Sequence, residues 1–264
     1  MAVRFDSSAD ALTRSTNLPT NGAATIMAWF KISVDRNTFS SALVLKHATA
    51  GGYSIGTDID GTTHSLFLTG GNVNGTALTV GTWYHTAFVI DGTSTGNFKG
   101  YLNGVLDITT GATTGSLSEI RLATRVVGGS EWLNGCLAAV KIYDAALTAA
   151  EINAERFQIA PMRWENLNSF FPLFTAADAA TDYSGYGRNL TVAGTLATED
   201  APPIPWRIGR TRYQAQVAAP APATGQPASR RFALMGVGNP FAPRGNEGLV
   251  ICKSIVVPAR RRAA

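Results

Sequence analysis

The chain reads as an all-β protein: a two-sheet antiparallel jelly-roll sandwich with one short closing helix and an extended C-terminal arm. Three observations predict this. Short runs rich in β-branched and aromatic residues recur along the first 143 residues, each bounded by Gly, Asn, Asp or Thr, which is the pattern of strands joined by tight turns. A single stretch, DAALTAAEINAERF, carries the start signals of a helix. The charge also splits along the chain: residues 207–264 hold ten Lys plus Arg against one acid, Glu247, a net of +9, whereas residues 1–206 hold twelve bases and seventeen acids, a net of −5, which together give +4.

The strands follow in order. ATIMAWFKI, SALVLKHA, YSIGTDI and HSLFLTG come first, then WYHTAFVI, FKGYLNGVL, IRLATRV and LNGCLAAVKIY. In WYHTAFVI one face carries Trp83, His85, Ala87 and Val89 and the other Tyr84, Thr86, Phe88 and Ile90. Both faces are largely apolar, so this strand is expected to sit centrally and to be covered on both sides. In FKGYLNGVL the Asn103-Gly104 pair lies between hydrophobic flanks. Both residues tolerate the positive φ of a two-residue type I′ hairpin.

The helix is expected to begin at Ala149. Thr148 as N-cap and Glu151 three residues on make a capping box, and Leu147 with Ile152 makes a hydrophobic staple. Ile152 and Phe157 are expected to pack against the sandwich. Of the two cysteines, Cys136 falls in a strand and Cys252 in the arm; they form neither a disulfide framework nor a zinc pattern and are expected to be buried thiols.

The order AVRFD…ATIMAWFKI…GTWYHTAFVIDG…FKGYLNGVL…LNGCLAAVKIYDAALTAAEI resembles the laminin G-like, concanavalin A-like jelly-roll family in its W-x-H strand, its Y-L-N-G hairpin and its closing D-x-x-L-[ST]-x-x-E-I helix. The resemblance covers roughly residues 2–158. A further piece, residues 170–194, resembles the D-x-S-G-x-G-x-x-L segment that often precedes the first strand of such domains, and here it follows the helix. A strand delivered from the C-terminal side fills the same place in a circularly permuted arrangement. The expected organisation is a jelly roll at 1–158, a return segment completing it at 159–206, an Ala/Pro linker at 207–229 and a basic anchoring arm at 230–264.

Family resemblance alone leaves function open, because this sandwich hosts lectins, adhesion modules and glucanases. Glycoside hydrolysis needs two facing carboxylates. The glutamates Glu119, Glu131, Glu151, Glu155, Glu165 and Glu199 are scattered, with no E-x-D-x-E run, so no enzyme is expected. No Ser or Cys sits in a nucleophile elbow beside His47, His64 or His85. His85 reads as a hydrogen-bonded structural histidine, and His47 and His64 as surface residues near strand ends. No apolar run reaches the ~18 residues of a membrane helix, and no export signal opens the chain, which points to use without Sec export.

Many domains resembling this one bind calcium at one rim. The resemblance implies Asp58, Asp60, Asp91 and Asn97 as oxygen ligands, against the plainer role of Asp-Gly as a turn, and no metal is expected to be required for folding. Glycan stacking would use Tyr53, Trp132, Tyr183 and Tyr186, each near glycines in expected loops, with Trp132 reading more readily as a core or edge residue. The arm's assembly candidates are Arg230, Arg231, Phe232, Phe241, Val250, Ile251, Ile255, Val256, Arg260, Arg261 and Arg262. Its β-prone LVICKSIVV stretch suits strand addition to a partner. No base-reading aromatic pattern accompanies the arginines, so nucleic acid is not an expected partner.

The sequence therefore leads to a non-enzymatic decorating subunit of a multi-chain particle, a phage virion made in the host cytoplasm, with other subunits as partners. The alternative is a glycan-binding or adhesion module, calcium-assisted, with polysaccharide as partner.

Overall fold

The computed structural model describes residues 1–19, 22–34, 36, 39–47, 52–60, 63–69, 71–92, 98–110 and 117–204. Within them the chain forms β1 (Ala2–Phe5), β2 (Ala11–Arg14), β3 (Ala23–Ile32), β4 (Ser40–His47), β5 (Gly52–Asp60), β6 (Thr63–Leu68), β7 (Val73–Leu78), β8 (Trp83–Asp91), β9 (Phe98–Leu102) and β10 (Val105–Thr110). It continues with β11 (Leu117–Leu122), β12 (Gly135–Tyr143), α1 (Ala149–Glu155), β13 (Leu167–Phe171), β14 (Thr191–Ala193) and β15 (Ala197–Glu199). Among the described residues these strands make two antiparallel sheets. One has eight strands in the order β10-β9-β8-β3-β12-β1-β15, with β13 also on β12; the other has seven, in the order β14-β2-β11-β4-β5-β6-β7. This is the sandwich the sequence predicts.

Alternation builds the core. Ala24, Ile26, Ala28, Phe30 and Ile32 of β3 point into the space between the sheets, where they meet Leu43, Leu45, Ile55, Leu66 and Leu68 of the facing sheet. The other face of β3 sends Met27 and Trp29 outward, yet both are buried. β8 sits between β3 and β9, with Phe88 and Ile90 inward and Ala87 and Val89 outward beside Leu147 and Ile152. It is the centrally placed, doubly covered strand that its composition predicts. The β9–β10 turn has Asn103 at φ 50° and Gly104 at φ 82°, the left-handed pair that a type I′ hairpin requires. A side chain at Gly104 would also meet Asn153 Oδ1 at 2.6 Å.

Each sheet ends in two edge strands. β14 ends the seven-stranded sheet and the next strand, β15, ends the eight-stranded one. On the far side Asp107 of β10 accepts hydrogen bonds from the Thr76 backbone N–H (2.8 Å) and hydroxyl (2.6 Å) of β7. The β7 and β10 edges are thereby tied to each other, which limits strand-to-strand aggregation on that side.

α1 starts at Ala149 under the expected capping box, Thr148 accepting from the Glu151 N–H and Glu151 accepting from the Thr148 N–H. Its far end is locked to β12 by a buried ion pair. Lys141 Nζ donates to Glu155 Oε2 at 2.5 Å and to the carbonyls of Glu155 and Gln158 at 2.8 Å each. Glu155 Oε1 accepts from the Tyr143 hydroxyl (2.9 Å) and from the Met162 and Arg163 N–H groups. Every ammonium proton has an acceptor, which is what makes a charge tolerable inside a protein.

Three expectations need correction. Phe157 is 44 % exposed under the Arg156 guanidinium, 4.3 Å above its ring, because the helix stops at Glu155; Ile159 packs in its stead. His64 is buried, not on the surface. The strand expected over residues 120–126 stops at Leu122, where Ala123 turns to φ 67°. Cys136 is a buried free thiol, held by burial above its ordinary pKa. Cys252 and the arm residues Arg230 to Arg262 lie outside the described residues.

Candidate functional site

The segment Asp182–Leu190, DYSGYGRNL, forms a tight surface loop over the seam between the two sheets. Asp182 is its organiser. Oδ1 accepts from the N–H groups of Phe170 (3.0 Å) and Ser184 (2.9 Å), and Oδ2 accepts from the Ser184 hydroxyl (2.7 Å) and the Arg188 N–H (2.9 Å). Asp182 N–H in turn donates to Asn189 Oδ1 at 2.9 Å. A short side chain that accepts from its own following backbone is what Asp does well in turns. Gly185 (φ 89°) and Gly187 (φ 68°) supply the left-handed steps that let the chain double back.

The loop is bolted to both sheets through Arg14 and Asn168. Arg14, on β2, donates to the Arg188 carbonyl (2.8 Å) and to Asn168 Oδ1 (2.6 Å), and Asn168, on β13, donates to Asp144 Oδ1 (3.0 Å). Arg188 closes the ring by donating to the Asn168 carbonyl at 2.9 Å. Burial lowers the Arg14 pKa to about 10, a shift opposed by Asp182 and reinforced by Arg188. Burial likewise raises the Asp144 carboxyl, opposed by its bond from Asn168. Two cations and two carboxylates thus form one cross-sheet network.

On this base stand two aromatic rings. Tyr183 is 38 % and Tyr186 60 % exposed. The Arg188 guanidinium lies 4.8 Å from the Tyr186 ring centroid, supporting the ring by a cation–π contact. The Tyr183 hydroxyl donates to Asp178 Oδ2 at 3.4 Å, and its pKa is raised, chiefly by burial and then by the Asp178 charge. Chemically the loop presents apolar ring faces beside hydroxyl, carboxylate and guanidinium groups. It has the parts of a binding surface.

The other expected stacking residues lie elsewhere. Trp132 is half-buried with Arg36 3.8 Å over its ring and bridges Ser41 and Thr124. Tyr53 pairs with Leu45 in the β4–β5 ladder. Tyr183 and Tyr186 share the Asp182–Leu190 loop.

The described calcium candidates, Asp58, Asp60 and Asp91, do not converge. Asp58 stands opposite Ser65 and Asp60 opposite Thr63 at the β5–β6 turn. Thr57 beside them pairs with Ser40, the first residue of β4. Asp91 pairs instead with Ala23 at the start of β3 and is held by Lys99 at 2.6 Å. Asp58 and Asp60 thus lie on the seven-stranded sheet and Asp91 on the eight-stranded one. Asn97 lies outside the described residues. The described residues contain no group of three or more His, Cys, Asp or Glu side chains arranged to hold a metal ion.

The six glutamates named above are all engaged. Glu119 pairs with Lys46 and Arg121, Glu131 with Arg125, Glu151 with Arg163, Glu155 with Lys141, Glu165 with Arg163 and Glu199 with Arg4. His85, expected to be hydrogen-bonded, is buried with Nδ1 unpartnered among the described groups and packs edge-on against Trp29 at 5.7 Å. Burial, with the Lys141 and Arg156 charges adding to it, depresses its pKa to about 3. The sequence missed Arg14, Asn168 and Asp178; the first two reveal themselves only through partners 174 and 154 residues away.

Residues 5–153 match the model of the Laminin G-3 family, described as the concanavalin A-like lectin/glucanases superfamily. No curated protein matches the sequence. Among solved structures, a Bacteroides ovatus protein with an ascribed carbohydrate-binding role is similar at a TM-score of 0.55 and 16 % identity, over 76 % of this chain and 60 % of that one. The heptameric SAP-like pentraxin of Limulus polyphemus aligns at a TM-score of 0.49 and 16 % identity, over 75 % of this chain and 95 % of that one. A Trypanosoma rangeli sialidase aligns at 0.46 and 13 %, over 58 % and 26 %. At these identities the likeness to the Bacteroides ovatus structure is one of fold, and the chain spans 60 % of that protein's length.

Proposed function

The chain belongs to the concanavalin A-like lectin/glucanases superfamily, and on that premise we propose that it is a non-enzymatic glycan-binding module whose contact surface is the Asp182–Leu190 loop. The observation that carries the proposal is the pair of exposed rings, Tyr183 and Tyr186, on a backbone fixed by the four hydrogen bonds that Asp182 accepts. A sugar ring offers an apolar face and a rim of hydroxyls. A rigid tyrosine meets the first at small entropic cost, and the neighbouring Ser, Asp and Arg groups meet the second.

The non-enzymatic part is supported by the glutamates. Each is tied to a cation, and a hydrolase needs two carboxylates free to face a glycosidic bond from opposite sides. A glycan array probed with the full chain, alongside Tyr186→Ala, tests the proposal. The variant is expected to weaken binding by about tenfold, the order of one lost aromatic contact. Its unfolding should be unchanged because the ring is mostly in solvent. Chelation with EDTA is expected to leave binding intact. Wild-type levels of binding by the variant would count against the loop as a binding surface, and release of a glycan product would count against the non-enzymatic reading.

A second role is favoured by the charge of residues 207–264, +9 against −5 for residues 1–206. A cationic segment of that kind suits anchoring to an acidic partner surface, and a virion subunit made in the host cytoplasm is one setting for it. Light scattering on the full chain and on a version ending at Pro205 tests this. Defined oligomers from the full chain alone support an anchoring arm, and identical monomers oppose it.

A further inference from the structure

We propose, building on the glycan-binding role of the loop, that Asp178 makes it selective for neutral, hydroxyl-rich sugars over their uronic-acid counterparts. The cross-sheet network is balanced in itself, with Arg14 and Arg188 set against Asp144 and Asp182. Asp178 stands outside that balance. Its Oδ1 is occupied by the Thr175 N–H (2.9 Å) and hydroxyl (2.7 Å), and its Oδ2 receives the Tyr183 hydroxyl at 3.4 Å. It makes no ion pair with a described residue. Oδ2 therefore keeps acceptor capacity beside the Tyr183 ring, where hydroxyls at the edge of a stacked sugar would lie.

A carboxylate accepts strongly from sugar hydroxyls and repels a second carboxylate. Arg188 does not reverse that preference. One of its Nη groups is committed to the Asn168 carbonyl, its face covers Tyr186, and its charge is already matched within the network. For two unit charges about 4 Å apart in water the repulsion is about 1 kcal/mol, or about fivefold in affinity.

The test is calorimetric titration of the full chain with matched oligosaccharide pairs: glucose and glucuronate, galactose and galacturonate, mannose and mannuronate. Binding through the loop is the part lost in Tyr186→Ala, which separates it from any attraction of uronates to the basic residues 207–264. The neutral member of the pair that binds is expected to be tighter by at least about fivefold, and Asp178→Asn should bring the two members near parity by strengthening the uronate. Asp178→Glu, which keeps the charge, should retain the preference. Equal or tighter uronate binding by the wild type overturns the proposal, as does an unchanged ratio in a folded Asp178→Asn protein. If no member of any pair binds through the loop, the glycan-binding role itself falls.

Discussion

At the scale of the residue, environment sets what each polar group contributes. His85 has a folded pKa of about 3 against an ordinary 6.5, so between those values the unfolded chain binds a proton that the native state refuses. Its contribution is fully present above the ordinary value and declines as pH falls, by about 1.4 kcal/mol per unit. Wild-type stability in urea should therefore drop by about 2 kcal/mol more than that of His85→Gln between pH 6.5 and about pH 5. Equal slopes would show that the imidazole is protonated in the fold. Asp182 works in the opposite way, as an acceptor for four donors. Asp182→Ala orphans three backbone N–H groups and a hydroxyl, and is expected to cost about 3 kcal/mol and to weaken glycan binding with both tyrosines intact. Urea denaturation and titration check both effects. The tyrosines were visible in the sequence because glycines flank them, and Asp182 because D-x-S-G is a recognisable turn. Arg14, Asn168 and Asp178 were not, because their importance lies in contacts that only the folded sheets create.

At the scale of the element, the strands legible beforehand were those long enough to alternate. β3, β8 and β12 each bury alternate side chains on both faces, and composition alone announces that. β7, with the sequence VNGTAL, is half-exposed and interrupted by Asn and Gly, whereas β14 and β15 have three residues each. Such strands exist because a neighbouring edge needs a partner, which local propensity does not report. The helix was legible through its capping box, but its locking to β12 was not, since Lys141 and Glu155 resemble surface charges until the fold buries them. Lys141→Met should cost about 3 to 5 kcal/mol by stranding the Glu155 carboxylate. At the β9–β10 turn Gly104→Ala should cost at least about 1 kcal/mol, as both its φ of 82° and the approach of Asn153 oppose a Cβ. Both are read by urea denaturation; a loss under 0.5 kcal/mol in either would mean the local structure relaxes around the change.

At the scale of the whole molecule, two stacked sheets hold a hydrogen-bonded loop over their seam, and in the proposed function that fixed backbone is what would let two surface tyrosines act as a binding surface. Fold class could be read from the chain because strand spacing, the Asn-Gly hairpin and the capped helix all point to the same sandwich. The site could not be read in full. Asp58 and Asp60, picked as calcium ligands for their residue type, fall on one sheet and Asp91 on the other, and of four candidate aromatics two share one surface loop. The most direct test is isothermal titration of the full chain and of the Tyr183→Ala/Tyr186→Ala double variant with a neutral oligosaccharide selected on an array, with thermal unfolding measured in parallel. The expected result is saturable binding by the wild type and a loss of at least about tenfold in the variant at an unchanged unfolding temperature. Equal affinities for the two proteins, or a wild type that binds no glycan at all, would contradict the account.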